Sequence, residues 1–484
     1  MLFNSYIFIL CFFPLCLLGY FFLNKLKCYK LSLLLLLGMS LWFYGYFNPS
    51  YLLIILGSIL VNYMLCVLFR LSMPKGIKKL VLAVGISLNV LLLFYYKYYD
   101  FFVSNINALF ASDFALKHLL LPLGISFFTF QQISFVIDSY RGEVNKYSML
   151  EYACFVTYFP QLIAGPIVTH DELVPQLLDQ EKKQFNWDNF SRGLYIFALG
   201  LSKKVLLADT FGNAVNWGWS NLLSLNSPSA ILVVLSYTIQ IYFDFSGYCD
   251  MAIGIGRMMN IDLPLNFNSP YKAITIRDFW KRWHMTLTRF LTKYIYIPLG
   301  GRGTMLKTCR NTMIVYLVSG LWHGANWTFI LWGAMHGLFC VFTRIFEKQI
   351  KKLPAALNWC VTFAFVNFTW VFFRADNISS AITMVKRVLK PVWTGLDPSL
   401  TACFEVPELK FLFSFFPAMQ DISPYLCMGI LFALAFWLLL GSKNAYEKML
   451  DFRPSTRSAI TTAILLVLSI MAFSGMSTFL YFNF

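Results

Sequence analysis

Charged side chains are scarce in this chain of 484 residues. Only 13% of the residues are Asp, Glu, Lys or Arg, whereas 58% are hydrophobic. This composition and a mean hydropathy of +0.63 exclude a soluble globular protein. The net charge of +16 does not indicate nucleic-acid binding, because the basic residues lie in short loops between apolar runs, where the positive-inside rule explains them. The chain is therefore predicted to be an all-α integral membrane protein.

Several sequence patterns that would indicate other chemistry are missing. The eleven cysteines form no C-x-x-C pair, so neither a disulfide framework nor a metal site is expected. There is no H-E-x-x-H, Walker A or G-x-S-x-G motif, and no bound cofactor is expected. The N-terminus lacks a basic region and a cleavage site, so its first apolar run is predicted to be retained as a span. No long polar stretch divides the chain, which predicts one membrane domain over 1–484 with a catalytic core at about 120–375.

The apolar runs predict about eleven transmembrane helices, with the N-terminus outside and the basic loops inside. The fourth run, 80–103, ends in the aromatic segment Y-Y-K-Y-Y (95–99), expected at the outer face. Two runs, 151–168 and 190–208, are interrupted by proline or lysine and favour broken or re-entrant helices. Residues 254–310 hold no run long enough to span, and two amphipathic helices are predicted to lie flat on the inner surface there. The other predicted spans are 5–23, 31–47, 51–69, 119–138, 231–248, 312–337, 356–373, 425–440 and 461–480. Residues 374–424 are predicted to form an external segment with an amphipathic stretch at 381–389.

His323 is the strongest candidate for chemistry. It lies in the uncharged run 312–337, and an imidazole at such depth is a functional hypothesis. If the run is one helix, His323 shares a face with Ser319, Asn326 and Trp327. Ser319 or Asn326 is then placed to bond one ring nitrogen and leave the other as a general base. The alternative is a buried histidine satisfied by its neighbours. Gly320 and Gly324 are spaced for close approach of another helix.

The sequence contains five further polar candidates, and each has its own expected role. In a continuous helix His336 would lie some 20 Å from His323, so a structural role is predicted for it. His284 lies on the amphipathic stretch and is expected to fold against the span. Asp244 is either paired with an arginine at the interface or shapes the pocket. His118 and His170 lie near predicted loops and are weak candidates.

A dense group of cations lies between residues 272 and 310. Such a group usually binds anionic lipid headgroups. The sharper hypothesis is a cytoplasmic landing site for a phosphate-bearing donor such as coenzyme A. The group comprises Lys272, Arg277, Lys281, Arg282, Arg289, Lys293, Arg302, Lys307 and Arg310.

Six segments in a fixed order resemble the membrane-bound O-acyltransferase superfamily. The resemblance covers roughly residues 30 to 480 and is strongest to the bacterial polysaccharide branch, typified by the alginate O-acetyltransferase membrane subunit. It implies a ring of tilted helices around a central funnel open to both membrane faces. By analogy His323 matches the active-site histidine of the family and His284 its second histidine. The segments are P-L-G-I-S-F-F-T-F-Q (122–131), Q-L-I-A-G-P-I (161–167), Y-F-D-F-S-G-Y-C-D-M-A (242–252), D-F-W-K-R-W-H-M-T-L-T-R-F (278–290), L-W-H-G-A-N-W (321–327) and F-F-R-A (372–375).

The function implied is transfer of acetyl groups from cytoplasmic acetyl-CoA across the bacterial inner membrane toward an exported polysaccharide such as alginate. A hydrolase-like partner, periplasmic or membrane-tethered, would complete the transfer. The alternatives are peptidoglycan O-acetylation, D-alanyl transfer to teichoic acid and, outside enzymes, a transporter or flippase. His323 is expected to act as base or acyl carrier and His284 to orient the donor. The residues expected to bind substrate or shape the tunnel are Trp322, Asn326, Asp244, Ser319 and Arg282.

Overall fold

The computed structural model describes residues 1–405, 422–475 and 478–480, and its regular elements within those ranges are all helices. The first half contains α1 (Phe13–Lys25), α2 (Tyr29–Gly45), α3 (Ser50–Phe69), α4 (Lys75–Leu93), α5 (Tyr99–Phe110), α6 (Ile125–Arg141), α7 (Met149–Thr157), α8 (Phe159–Leu162), α9 (His170–Leu178), α10 (Trp187–Ser202), α11 (Asp209–Ser220) and α12 (Ser227–Met258). The second half contains α13 (Ile276–Arg282), α14 (Met285–Leu291), α15 (Met305–His323), α16 (Trp327–Ile345), α17 (Glu347–Ile350), α18 (Ala355–Arg374), α19 (Ile378–Leu389), α20 (Pro398–Ala402), α21 (Ser423–Phe436), α22 (Ala445–Leu450) and α23 (Thr456–Met471).

The predicted class, an all-α integral membrane protein, is confirmed. Among the described residues, seven helices are long and apolar enough to cross a bilayer, and α2 and α23 are shorter apolar helices. The predicted number of spans, about eleven, is therefore larger than the number of described helices that are long and apolar enough to cross a bilayer. The seven are Phe8–Lys25, Ser50–Phe69, Lys75–Phe110, Ser227–Met258, Trp327–Ile345, Ala355–Arg374 and Ser423–Gly441.

Helix α12 lies at the centre of the molecule, with 78% of its most apolar window buried by protein. Its tightest partner is α10, and glycines face each other across the contact. A Cβ on Gly193 would lie 2.6 Å from the carbonyl oxygen of Gly254, and one on Gly200 would lie 2.6 Å from that of Gly247. Small residues at both positions let the two backbones approach closely, which is how helices associate in a membrane.

Of the two interrupted runs of the middle region, one forms a broken helix, as predicted, and the other does not. The run 151–168 becomes α7 and α8, which are separated at Tyr158 just before Pro160. The run 190–208 stays helical but changes to a π-helical segment at Lys203–Ala208 before α11 begins. Nearly all of α7 and α8 is buried, so these pieces belong to the interior.

The helices predicted to lie flat on the inner surface are present as α13 and α14, but they are part of the core. Phe279, Trp280, Trp283 and Leu287 are each at most 6% exposed. Each helix has seven residues and carries large aromatic or aliphatic side chains that pack among neighbouring helices. Their charged residues are partly or fully exposed, so the apolar face of each helix belongs to the core.

The predicted single span at 312–337 is wrong. Helix α15 ends at His323, the chain turns at residues 324–326, and α16 returns alongside α15. Glycines allow the contact: a Cβ on Gly320 would lie 2.4 Å from the carbonyl oxygen of Phe329, and one on Gly333 would lie 2.4 Å from that of Tyr316. The hairpin brings the basic residues before α15 and after α16 to the same end of the helix pair.

Part of the predicted topology falls on residues outside the described ranges. Residues 406–421 belong to the predicted external segment 374–424, and residues 476 and 477 belong to the predicted last span. Within the described part, the amphipathic stretch predicted at 381–389 is confirmed as α19.

Candidate active site

Gly324 and Asn326 have different tasks in the turn between α15 and α16. Gly324 has an extended conformation (φ −164°, ψ 151°) that ends α15. Asn326 caps α16, because its Oδ1 accepts a hydrogen bond from the backbone N–H of Thr328 at 3.0 Å. Its Nδ2 donates to the carbonyl oxygen of Asp376 at 2.7 Å. Asn326 is thus engaged in the turn, and the predicted shared helix face with His323 does not exist.

His323 is enclosed by aromatic rings at the end of α15. It is 2% exposed, and its ring centroid lies 5.0 Å from that of Trp322, 5.2 Å from Trp332 and 5.1 Å from Phe373. All three contacts are edge-on, the arrangement that aromatic quadrupoles favour. The imidazole is therefore held in one place by packing from α15, α16 and α18.

His284 lies beside His323, as expected from a stretch that folds against the helix. The two ring centroids are 6.4 Å apart. His284 is fully buried and sits between α13 and α14 with a left-handed backbone (φ 46°). Its Nδ1 is 3.1 Å from Oδ1 of Asn266. That carboxamide oxygen also accepts from the hydroxyl of Thr286 at 2.9 Å, so a polar cluster fixes the orientation of the ring.

Trp322 connects the two histidines to α6. Its ring is 5.9 Å from that of His284 and stacks on Phe130 at 5.4 Å. The indole Nε1 donates to the carbonyl oxygen of Ser126 at 3.3 Å. Trp322 is 4% exposed, so its observed contacts are those of a wall residue of the histidine site.

Lys97 and Tyr98 hold the end of α15, and the sequence analysis missed this role. Both lie in a π-helical segment, Phe94–Tyr98, a type of distortion frequent at functional sites. The ammonium of Lys97 donates to the carbonyl oxygens of Trp322 (2.6 Å) and His323 (3.1 Å), and the hydroxyl of Tyr98 donates to that of Leu321 (2.8 Å). The sequence does contain a signal for this role, because Lys97 is a charged residue inside the predicted span 80–103. The surrounding tyrosines instead led to the prediction of an aromatic belt at the outer face.

His336 lies much closer to His323 than predicted, because the hairpin folds α16 back. The rings of both histidines contact Trp332, at 5.2 Å for His323 and 4.7 Å for His336. Both nitrogens of His336 are engaged: Nδ1 accepts from Nε1 of Trp280 at 3.2 Å, and Nε2 is 3.0 Å from the hydroxyl of Thr369. The predicted structural role fits these contacts, but the separation of some 20 Å is wrong.

One cavity adjoins the turn that follows His323, and a second lies beside the middle of α15. The outer cavity, about 310 Å³, is lined by Gly324, Ala325 and Asn326 of the turn and by Lys97 and its neighbouring tyrosines. It begins directly after His323 in the chain. The segment 374–424, which is predicted to be external, lies on this side, because its Asp376 accepts the hydrogen bond from Asn326, and the cavity is called outer on the basis of that prediction.

The inner cavity, also about 310 Å³, lies between α13, α14, α15 and α16. Ser319 lines it one helical turn before His323, roughly 6 Å along the axis. Arg277, Lys281 and Arg344 line it as well and make it cationic. Arg277 donates to Glu347 at 3.0 Å, and hydrogen bonds from Lys351 and Arg277 lower the pKa of Glu347 to about 2. This pair therefore stays charged at neutral pH.

His323 itself is not in the lining of either cavity. Gly324, the next residue in the chain, lines the outer cavity, and Ser319, one helical turn earlier, lines the inner cavity. A short layer of side chains therefore separates the His323 ring from each cavity. Trp280, which also lines the inner cavity, is 5.7 Å from Trp332, a ring in direct contact with His323. The histidine pair thus occupies the partition between an outer and a cationic inner space.

Asp244 and Arg282 lie away from both cavities. Asp244 is 2% exposed and pairs with Lys204 at 2.6 Å, which also binds Asp209 at 2.8 Å. Asp244 is therefore paired, but with a buried lysine and not with the predicted arginine at the interface. Arg282 pairs with Asp278 at 3.0 Å within α13. Neither residue lines the outer or the inner cavity.

A sequence profile of the membrane-bound O-acyltransferase family matches residues 25–382. The chain belongs to this family. It is therefore an acyltransferase and a multi-pass membrane protein, which rules against the transporter alternative.

Three relatives are named as enzymes that transfer acetyl or D-alanyl groups. The chain is 41% identical to the peptidoglycan O-acetyltransferase of Helicobacter pylori, over 100% of this chain and 98% of that protein. It is 38% identical to the probable alginate O-acetylase of Pseudomonas aeruginosa, over 79% of this chain and 74% of that protein. It is also 28% identical to the teichoic acid D-alanyltransferase of Bacillus subtilis, over 53% of this chain and 69% of that protein.

Proposed function

We propose that this enzyme passes acetyl groups from cytoplasmic acetyl-CoA across the inner membrane for O-acetylation of an exported polymer, with peptidoglycan as the first candidate. The observation that carries the proposal is the position of His323, beside His284 and between the two cavities of an acyltransferase. The cations of the inner cavity, Arg277, Lys281 and Arg344, complement the phosphates of coenzyme A. The thioester would reach His323 from this side.

His323 would act on the acyl group in one of two ways. As a general base it takes the proton of an acceptor hydroxyl, whose oxygen attacks the thioester carbonyl, and the coenzyme leaves as a thiolate. As a nucleophile its ring nitrogen attacks the thioester carbonyl and expels the coenzyme thiolate. The acceptor oxygen then attacks the acyl-imidazole, which releases the ring nitrogen, and the proton of the acceptor hydroxyl passes to the solvent. His284 would orient the donor in both cases. The acceptor enters from the outer cavity, where a hydrolase-like partner would receive the acetyl group and complete transfer to the sugar.

The order of acceptors follows the relatives. The relative that carries the name peptidoglycan O-acetyltransferase matches over the full length of this chain. The probable alginate O-acetylase matches over 79% of this chain, which makes alginate the second candidate and reverses the order suggested by the sequence motifs. The D-alanyl transferase shares only about half of the chain, so D-alanyl transfer is third.

His323→Ala is expected to abolish O-acetylation in cells while the protein remains folded in the membrane. The measurement is base-released acetate from isolated peptidoglycan and from extracellular polysaccharide, together with the amount of folded enzyme. His284→Ala should lower acetate release in the same assay. The control is His118→Ala, because the His118 side chain is 80% exposed and lies outside both cavities.

Unchanged acetate in the His323→Ala strain would show that the catalytic assignment is wrong. Loss of acetate from the extracellular polysaccharide alone would move the acceptor from peptidoglycan to the second candidate. Purified enzyme should also hydrolyse acetyl-CoA slowly, and His323→Ala should remove this activity.

A further inference from the structure

The largest of the described cavities lies away from the histidine site, at the end of α1. Its volume is about 650 Å³, and it is bounded by the last turns of α1, the turn 26–29 and the segment 180–185. Leu17, Phe21 and Phe22 form its apolar part. Phe22 is 62% exposed on a helix that crosses the membrane, so the cavity opens toward the lipid-facing side of α1.

The polar part of this cavity is cationic. Lys25, Lys27 and Lys183 line it, and its lining contains no Asp or Glu. Lys183 is 5% exposed, and its ammonium lies 4.5 Å from the centre of the Tyr29 ring. Among the described residues no carboxylate lies within 4 Å of that ammonium, and Asp179 acts on it only from a longer distance.

Both walls of the cavity are fixed by hydrogen bonds. Lys27 adopts φ 60°, and its backbone N–H donates to the carbonyl oxygen of Asn24 at 2.9 Å, which closes the end of α1. On the opposite wall, Nδ2 of Asn260 donates to the carbonyl oxygens of Lys182 (3.0 Å) and Gln184 (2.6 Å). The three lysines are therefore carried by defined backbone positions on two separate segments.

We propose that this cavity binds the headgroup of an anionic phospholipid of the inner leaflet. The phosphate would lie between Lys25, Lys27 and Lys183, and the acyl chains would follow Leu17 and Phe22 along α1 into the bilayer. A free phosphate ion would bind the lysines but would not occupy the apolar part of the cavity, whereas a phospholipid would fill both parts. The basic loop after α1 lies inside by the positive-inside rule, the side on which anionic headgroups attract lysines.

The test is lipid retention by purified enzyme in native mass spectrometry, with phosphatidylglycerol and phosphatidylethanolamine supplied in equal amounts. The wild type is expected to retain phosphatidylglycerol preferentially. The variant Lys25→Gln/Lys27→Gln/Lys183→Gln should lose that preference, by about fivefold per lysine, which corresponds to ~1 kcal/mol for each cation near an anionic lipid surface. The control Lys75→Gln/Lys78→Gln/Lys79→Gln removes three lysines at the start of α4, outside this cavity, and should retain it.

Three results would overturn the proposal. These are equal retention of both lipids by the wild type, equal loss in the control variant, and displacement of the lipid by inorganic phosphate. If the triple variant does not fold, the single variant Lys25→Gln replaces it in the test, because Lys25 is exposed. It should weaken the retention of phosphatidylglycerol by about fivefold. Because lipid retention does not depend on acetyl transfer, this outcome is separate from that of the proposed function.

Discussion

Lys97 and His323 are 226 residues apart in the chain, and the ammonium of Lys97 donates to the carbonyl oxygen of His323 over 3.1 Å. The same ammonium donates to the carbonyl of Trp322 over 2.6 Å. The last carbonyls of a helix have no partner within the helix and carry the negative end of its dipole. The partly buried cation at that end stabilises it and fixes the backbone that carries the candidate catalytic imidazole.

Lys97→Met is expected to reduce kcat for acetyl transfer by about 10²-fold, because loss of the two contacts lets His323 move by about 1 Å. KM for acetyl-CoA should change little, since Lys97 lines the outer and not the inner cavity. Lys97→Arg should restore part of kcat, because a guanidinium also donates to carbonyl oxygens. The measurement is steady-state transfer per amount of folded enzyme.

The matched control for Lys97 is Lys117→Met. Lys117 is exposed and lies over the rings of Tyr95 (4.3 Å) and Tyr99 (4.6 Å), near the same outer cavity. Its loss should leave kcat within about twofold, as expected for a surface cation. If Lys97→Met and Lys117→Met had equal effects, Lys97 would have no specific task in positioning His323.

Ala325→Trp and Ser319→Leu should separate the two half-reactions. Ala325 lines the outer cavity, so a bulky ring there should block the acceptor but allow slow hydrolysis of acetyl-CoA. Ser319 lines the inner cavity, so a leucine there should raise KM for acetyl-CoA and lower both activities. The measurement is thioester hydrolysis without acceptor and acetyl transfer with it.

The activities of these two variants also test which cavity admits the donor and which admits the acceptor. If Ala325→Trp removed hydrolysis and Ser319→Leu did not, the donor would enter from the opposite side. If neither variant affected either reaction, the two cavities would not be the routes to His323.

The sequence predicts the elements of this protein better than it predicts their contacts. Composition alone gives the all-helical membrane class, and the order of the motifs gives the family. The run 312–337 has no charge and reads as one span, because Gly324 is an ordinary residue in a membrane helix. Only the packing of Phe329 against Gly320 shows that the chain turns there. That turn changes the partners of Asn326 and the distance to His336.

Long-range polar contacts in the interior were the least predictable part of the site. Asp244 is predicted from the sequence to pair with an arginine at the interface or to shape the pocket, and no local pattern connects it with Lys204, which is 40 residues away. Lys97 was visible as a cation in an apolar run, but its partners lie more than 220 residues away. Pairs of this kind depend on the tertiary arrangement. An unpaired charge in the low-dielectric interior is costly in free energy, so the fold, and not the local sequence, determines which residue pairs with it.

Asp244→Asn should destabilise the protein without changing its catalysis. Removal of one partner from a buried ion cluster costs about 3 kcal/mol, at the lower end of the usual range here because Lys204 keeps Asp209. The control Asp188→Asn breaks an exposed pair with Arg192 and should cost less than ~1 kcal/mol. Thermal unfolding in detergent measures the first effect, and KM and kcat of the folded fraction measure the second. An altered KM in Asp244→Asn would restore the tunnel-shaping role that its position does not support.

Gly320→Ala is expected to lower the stability of the α15–α16 hairpin, because the added Cβ would lie 2.4 Å from the carbonyl oxygen of Phe329. That atom belongs to the backbone of the partner helix, so relief requires the helices to separate, and overpacking of this kind costs about 1–3 kcal/mol. The control is Gly57→Ala in α3, where a Cβ meets nothing within 4 Å and alanine is the better helix former. Gly320→Ala should lower the thermal midpoint of the purified enzyme and its transfer activity, whereas Gly57→Ala should leave both unchanged. Equal midpoints for the two variants would contradict the close packing of the hairpin, and with it the position of His323 at its turn.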